Sequence, residues 1–140
     1  MKTIVLLMCG NNKLPSKAKA KDLYTSPRFQ KSLEYAKTIT DCYCIFILSA
    51  KYGLVRLEQE LATYDKSLYE MSVNEKKEWA DIVINSLNDV SDLNVDKYIF
   101  LTDDDYNEYI LPHLSNIDLP LKGIPQNEHL VYFKKLLGEQ

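Results

Sequence analysis

Three short, dominantly apolar runs divide the chain: Thr3-Ile4-Val5-Leu6-Leu7-Met8, Cys42-Tyr43-Cys44-Ile45-Phe46-Ile47-Leu48 and Lys97-Tyr98-Ile99-Phe100-Leu101-Thr102. None alternates apolar with polar residues, as a half-exposed strand would, so each predicts a strand buried on both faces. Between and after them the spacing changes to that of helices. Ser26-Pro27 supplies a cap and a first-turn proline, and Phe29, Leu33, Ala36 and Ile39 recur on one face, predicting a helix over 27–39. Ser72-Val73-Asn74-Glu75 forms a capping box, and Trp79, Ile82, Val83 and Leu87 extend it into a helix over 73–88. A shorter helix over 104–111, capped by Asp103 or Asp104 and closed by Pro112, follows the third strand. A last one begins near Asn127 and stops at Gly138. Strands alternating with helices predict an α/β fold of three layers, a mainly parallel central sheet with helices on both faces.

Three stretches resist this pattern. Cys9 to Asp22 holds Gly10, Pro15 and four lysines and reads as a long loop. Residues 54–70 keep no period and read as an irregular excursion over one end of the sheet. Leu119-Pro120-Leu121-Lys122-Gly123-Ile124 reads as a loop or an edge strand.

At 140 residues the chain suits one α/β domain spanning 1–140. No window approaches the ~20 apolar residues of a membrane span, and Ile4–Met8 is too short for a signal-peptide core, so the expected location is the cytoplasm without membrane attachment. Cys9, Cys42 and Cys44 are odd in number and lack metal-ligand spacing with His113 or His129, which predicts reduced thiols and no metal. No cofactor signature is present. The net charge of −3 argues against a general duplex binder. Its distribution is uneven: residues 1–33 carry seven cations against Asp22 alone, a charge of +6, which leaves −9 for the remainder. A basic lobe on an acidic body suits a local phosphate-binding surface or simply a solvated face.

Candidate chemistry gathers where the strands end. In a parallel sheet the carboxyl ends share one rim, where α/β proteins bind ligands. Cys9-Gly10-Asn11-Asn12-Lys13, Ser49-Ala50-Lys51-Tyr52-Gly53 and Thr102-Asp103-Asp104 should therefore line one crevice. Lys51 reads as a phosphate-binding charge, an amine nucleophile or a surface lysine. Lys13 follows a Gly-containing turn that could cradle a phosphate without being a P-loop. Ser49 would bind a base or close its own turn, and Tyr52 would stack on a base or pack in the turn. Asp65 and Asp103 are candidate carboxylates for orienting water or stabilising an oxocarbenium-like transition state, Asp103 serving equally as a helix cap. Cys9, Gly10, Tyr24 and Gly53 complete the expected binding surface. His129 reads as a packed residue.

The ordered blocks Cys9-Gly10-x-x-Lys13, Ala20-x-Asp22-Leu23-Tyr24-x-Ser26-x-x-Phe29, Ile47-Leu48-Ser49-Ala50-Lys51-Tyr52-Gly53-Leu54, Tyr64-Asp65 and Pro120-Leu121-x-Gly123-Ile124 with Glu128-His129-Leu130 resemble an uncharacterised bacterial and phage domain-of-unknown-function family. The block around Lys51 is also similar to that of the peroxide-stress YaaA-like proteins. A weaker likeness, through the Cys-x-x-x-Lys stretch after the first strand, is to the nucleobase-handling domain of archaeosine synthase. The resemblance implies a fold like that of uracil-DNA glycosylases and a link to nucleic acid or modified bases. Asp103-Asp104 depart from the Ala-Gly pair usual at that position.

The leading expectation is an enzyme acting on a nucleotide or nucleic-acid base, with the N-glycosidic bond as one target. Lys13 and Lys51 would hold phosphate, Ser49 and Tyr52 the base or sugar, and Asp65 or Asp103 would do the acid-base work. The rival is a non-catalytic binder of nucleotide, nucleobase or short nucleic acid using the +6 segment and Tyr52. A third is an accessory protein of a phage or mobile element. The oligomeric state is not legible in the sequence.

Overall fold

The first apolar run forms β1 (Thr3–Met8), and it becomes the centre of the sheet because it has partners on both sides. A computed structural model describes residues 1–10 and 12–139. In chain order, β2 (Ala18–Lys19) and the short turn α1 (Ala20–Leu23) lead into α2 (Pro27–Ile39), after which come β3 (Ile45–Ser49), β4 (Gly53–Arg56) and β5 (Glu60–Leu61). The long α3 (Val73–Val90) then precedes β6 (Lys97–Leu101), α4 (Asp104–Asn107), β7 (Ile117–Asp118) and α5 (His129–Leu136). The main sheet runs in the order β4-β3-β1-β6-β7, with β3, β1, β6 and β7 parallel and only β4 antiparallel. A two-stranded ribbon, β2 against β5, stands apart from it.

The register explains the purely apolar strands. Val5 lies between Ile45 and Ile99, and Leu7 between Ile47 and Leu101, so the central strands meet a helical layer above and below. From β1 the chain steps outward to β3 through α2, then back across β1 to β6 through α3. Right-handed crossovers in opposite directions place these two helices on opposite faces. Side-chain alternation agrees: Met8 shares a cleft with Phe29 of α2, while the Cys9 thiol meets Tyr106, whose ring packs edge-on against Trp79 of α3. α5 lies beside α2, with Tyr35 near Phe133. No helix among the described residues is long and apolar enough to cross a membrane.

Several boundaries differ from expectation. Cys42–Cys44 form a 3-10 turn rather than the start of a strand, leaving Tyr43 exposed, and β3 begins at Ile45. Residues 54–56, the start of the stretch expected to be irregular, belong to β4 because the tight turn at Gly53, with φ of +75°, folds the chain back along β3. Four residues are too few to display a period. The helix expected over 104–111 ends at Asn107, and a separate 3-10 turn follows at Leu111–His113, with Pro112 in its first turn, where a missing N–H costs nothing. The edge strand is Ile117–Asp118, just before the stretch considered for it.

Candidate functional site

β1, β3 and β6 are parallel, so their carboxyl ends do share one rim. Two groups of polar side chains form there, one on each side of Cys9 and Gly10.

The first is a hydroxyl chain. Tyr24 and Tyr64 hydroxyls are 2.8 Å apart, and Tyr64 is 2.8 Å from Ser49 Oγ, which accepts the Tyr52 backbone N–H at 3.1 Å. The Ser49 carbonyl accepts the Trp79 indole N–H at 2.9 Å, tying the strand end to α3. Lys13 Nζ lies 4.4 Å from the Tyr64 ring centroid and 5.9 Å from that of Tyr24. Burial pushes the Tyr24 phenol up to about 12 and raises Tyr64 further, so both stay protonated and serve as hydrogen-bonding groups. Half-buried Tyr52 makes a T-shaped contact with Tyr64 and donates to the Ala62 carbonyl.

The second group surrounds a pair of adjoining clefts. One, of about 210 Å³, is lined by Met8, Cys9, Gly10, Asn12, Ser26, Arg28, Phe29 and Gln126. The other, of about 270 Å³, runs from Thr102, Asp103 and Asp104 to the 119–126 segment and His129, and Gln126 lines both. Asp103 caps α4 through the Tyr106 N–H, and its other oxygen accepts the Tyr69 hydroxyl, which itself accepts from Gln126 Nε2 at 3.1 Å. The Tyr69 phenol is pushed up chiefly by burial and then by Asp103, which keeps it a donor to that carboxylate. The Tyr106 hydroxyl sits 3.2 Å from the Cys9 thiol and 3.4 Å from the Cys9 carbonyl, bridging the ends of β1 and β6. Buried Thr102 donates to Asn107 and closes the turn after β6.

Arg28 enters this cleft from the first turn of α2. Its Nε and Nη2 approach His129 Nδ1 at 3.2 and 3.0 Å, and Nη2 also reaches the Leu101 carbonyl at 3.4 Å. His129 is buried, and its Nε2 stands 3.0 Å from the Ile124 carbonyl. Desolvation, then the neighbouring Arg28 charge, lowers the His129 pKa, so the ring is neutral with Nδ1 accepting and Nε2–H donating.

The predicted site residues thus divide. Cys9, Gly10 and Asp103 line the clefts, and Lys13, Tyr24, Ser49 and Tyr52 join the hydroxyl group. Gly53 belongs to the hairpin turn, where an added Cβ would stand 3.3 Å from Ile82 Cγ2 of α3. Lys51 is exposed in the same turn with its Nζ 5.3 Å from the Tyr52 ring centroid, and Asp65 is exposed; neither lines these clefts. Arg28, Tyr64, Tyr69, Tyr106 and Gln126 join the two groups without being site candidates in the sequence pattern, and His129, which reads there as packed, is buried against Arg28. A signal for Arg28 existed, because a helix entered from the loop after a parallel strand begins at that strand's carboxyl end, placing its first turn on the rim. The basic segment also changes character. Lys17 and Glu60, Lys19 and Lys21 with Glu58, and Lys31 with Glu34 and Glu139 form ion pairs, so Lys13 and Arg28 are the cations of that segment left at the rim without one among the described residues. No cluster of three or more His, Cys, Asp or Glu suited to a metal ion occurs among the described residues.

A family model described as a family of unknown function, DUF6884, matches residues 4–135. The chain belongs to this family. The match covers β1 through α5, hence both clefts and the hydroxyl chain. No curated protein and no solved structure matches the chain. The family description carries no activity, so the chemistry of this member rests on its own geometry.

Proposed function

We propose that this DUF6884 protein is an enzyme acting on a nucleotide or nucleic-acid base in the paired clefts, with cleavage at the N-glycosidic bond as its reaction. The observation that carries the reading is the Asp103 carboxylate, fixed between the Tyr69 hydroxyl and the Tyr106 amide in the wall of the 270 Å³ cleft, with Gln126, which lines both clefts, bonded to the same Tyr69 hydroxyl. A carboxylate so held is suited to orienting water or to stabilising positive charge developing on a sugar ring. Tyr69, with 40% of its surface exposed beside Asp103, takes over the stacking role first assigned to Tyr52. Lys13 stays with the hydroxyl group over the Tyr64 ring and lines neither cleft, and exposed Lys51 and Asp65 are given no step in this reading. The three-layer sheet with parallel central strands is compatible with a fold like that of uracil-DNA glycosylases and with distant kinship to YaaA-like proteins. A small ligand is favoured over a long nucleic acid because four lysines of the basic segment already have carboxylate partners.

The test is incubation of the protein with nucleotides, nucleosides, modified bases and short oligonucleotides, followed by mass analysis of products. Asp103→Asn should leave the fold intact and lower turnover by about 10²-fold or more, the scale of acid-base assistance. Full activity in that variant removes Asp103 from the reaction. Binding of oligonucleotides alone, without product and weakening steeply with salt, would favour the non-catalytic reading.

A further inference from the structure

Arg28 is the one guanidinium in the clefts, and its surroundings are unusual for a half-buried cation. Its hydrogen-bond acceptors are an imidazole nitrogen and a main-chain carbonyl, both neutral, and no carboxylate lies within ion-pair distance among the described residues. Desolvation lowers its pKa, yet a guanidinium remains charged at neutral pH. Asp103 acts on it only at longer range, its carboxylate being engaged by Tyr69 and the Tyr106 amide. A desolvated charge without a counter-ion is unfavourable by itself, and a ligand anion would relieve it.

The holding residue matters as much as the charge. A carboxylate at position 129 would fix Arg28 equally well but cancel its charge. Neutral His129, locked by its Nε2–H bond to the Ile124 carbonyl, fixes the plane of the guanidinium and leaves the charge available. Nε and Nη2 are used by His129 and Leu101, while Nη1 has no protein acceptor among the described residues, and the side chain lines the 210 Å³ cleft. Around it stand Ser26, Asn12, Gln126 and Gly10, polar groups and a residue without a side chain. An added Cβ at Gly10 would come within 3.3 Å of Ser26 Oγ, narrowing that wall.

We propose that Arg28, held by His129, is the anchor for the phosphate of a phosphomonoester, so that the ligand class is a nucleoside monophosphate or a 5′-phosphorylated strand end rather than a free base or nucleoside. This rests on the nucleotide reading above and narrows it. Arg28 is the binding residue and His129 a positioning residue that acts through it. A phosphate oxygen accepts from the guanidinium, and such charge-assisted bonds contribute enough to separate phosphorylated from unphosphorylated ligands by about 10- to 100-fold.

The experiment is titration calorimetry at constant ionic strength with inorganic phosphate, acetate, nucleosides, their 5′-monophosphates, and a short oligonucleotide with and without a 5′-phosphate. The expected result is a monophosphate preference of about 10- to 100-fold over the matching nucleoside, with phosphate competing and acetate not. Strand-end selectivity appears as the same preference between the two oligonucleotides, and a mononucleotide ligand as preference confined to monophosphates. Arg28→Gln should erase the preference, bringing each monophosphate down to the affinity of its nucleoside. Arg28→Lys, which keeps charge without the planar fork, should retain part of it, and His129→Gln should weaken it, with monophosphates losing more affinity than nucleosides. Circular dichroism establishes that each variant is folded. Equal binding of nucleoside and monophosphate, undetectable phosphate binding, or a preference that survives Arg28→Gln overturns the proposal. Because binding is measured directly, a phosphate preference with no product from any nucleotide would sink the enzyme reading alone. Turnover of nucleosides without the preference would sink the anchor alone.

Discussion

Replacing Tyr64 by Phe removes one oxygen from the centre of the hydroxyl chain and leaves the ring under Lys13 in place. Tyr24, with 1% of its surface exposed, loses the hydrogen-bond partner it has through its hydroxyl. A buried polar group left unpaired costs about 1–3 kcal/mol. Ser49 loses one contact but keeps the Tyr52 N–H, a smaller effect of about 0.5–1 kcal/mol at the lower end of a net hydrogen bond. The single substitution should therefore cost about 2–3 kcal/mol. Tyr24→Phe should cost less, about 1 kcal/mol, because Tyr64 retains Ser49. In the double variant no tyrosine hydroxyl remains to be orphaned, so the total should fall short of the sum by about 1–2 kcal/mol, within the range of coupled neighbours. Urea unfolding of the four proteins measures this cycle; with a slope of about 2 kcal/mol per molar, Tyr64→Phe should move the midpoint by about 1 M or slightly more. Costs that add to within about 0.5 kcal/mol, or a neutral Tyr64→Phe, would refute the linked chain and mean that water satisfies Tyr24.

Gly53→Ala should be more destabilising than Gly123→Ala, although both glycines have positive φ, of +75° and +80°. Left-handed strain of about 1–2 kcal/mol is common to both, but only at position 53 does the new methyl approach a neighbour, Ile82 of α3, so unfolding midpoints compared between the two variants isolate that contact. His129 predicts a pH dependence: its pKa in the folded chain is lowered by burial and Arg28, while Asp103 and the Ile124 carbonyl oppose the shift, and Asp104 and Lys122 line the same cleft. The unfolded chain therefore binds more protons just below the ordinary value of 6.5, and this contribution, complete above pH 6.5, is lost as pH falls through the lower folded value. Thermal midpoints should decline from pH 7 to 5 and do so less in His129→Gln; equal declines would remove His129 as the cause. Asp96 and Glu75, whose pKa values are lowered by backbone N–H bonds, act in a separate window beginning near their ordinary values of 3.8 and 4.5.

What the sequence determined by itself is the layered plan and the rim. Runs such as Ile4–Met8 and Tyr98–Leu101 have no polar face, so they had to be interior strands, and the Ser26 and Ser72 caps began their helices where expected. Parallel strands then oblige Cys9, Ser49 and Asp103 to meet at one edge, whatever the loops between them do. The sequence could not say which polar residues would face the clefts. Lys51, in the hairpin turn before β4, and Asp65, beyond β5, are exposed and line neither cleft, a placement that residue type alone does not specify. Tyr64 and Tyr69 come from a stretch without period, and Gln126 and His129 from the far end of the chain; their places depend on long-range contacts that local propensity does not encode. The pairing of Arg28 with His129 joins residues 101 positions apart. Packing of α5 against α2 brings them together, and that is a property of the assembled layers, which residue order alone cannot express.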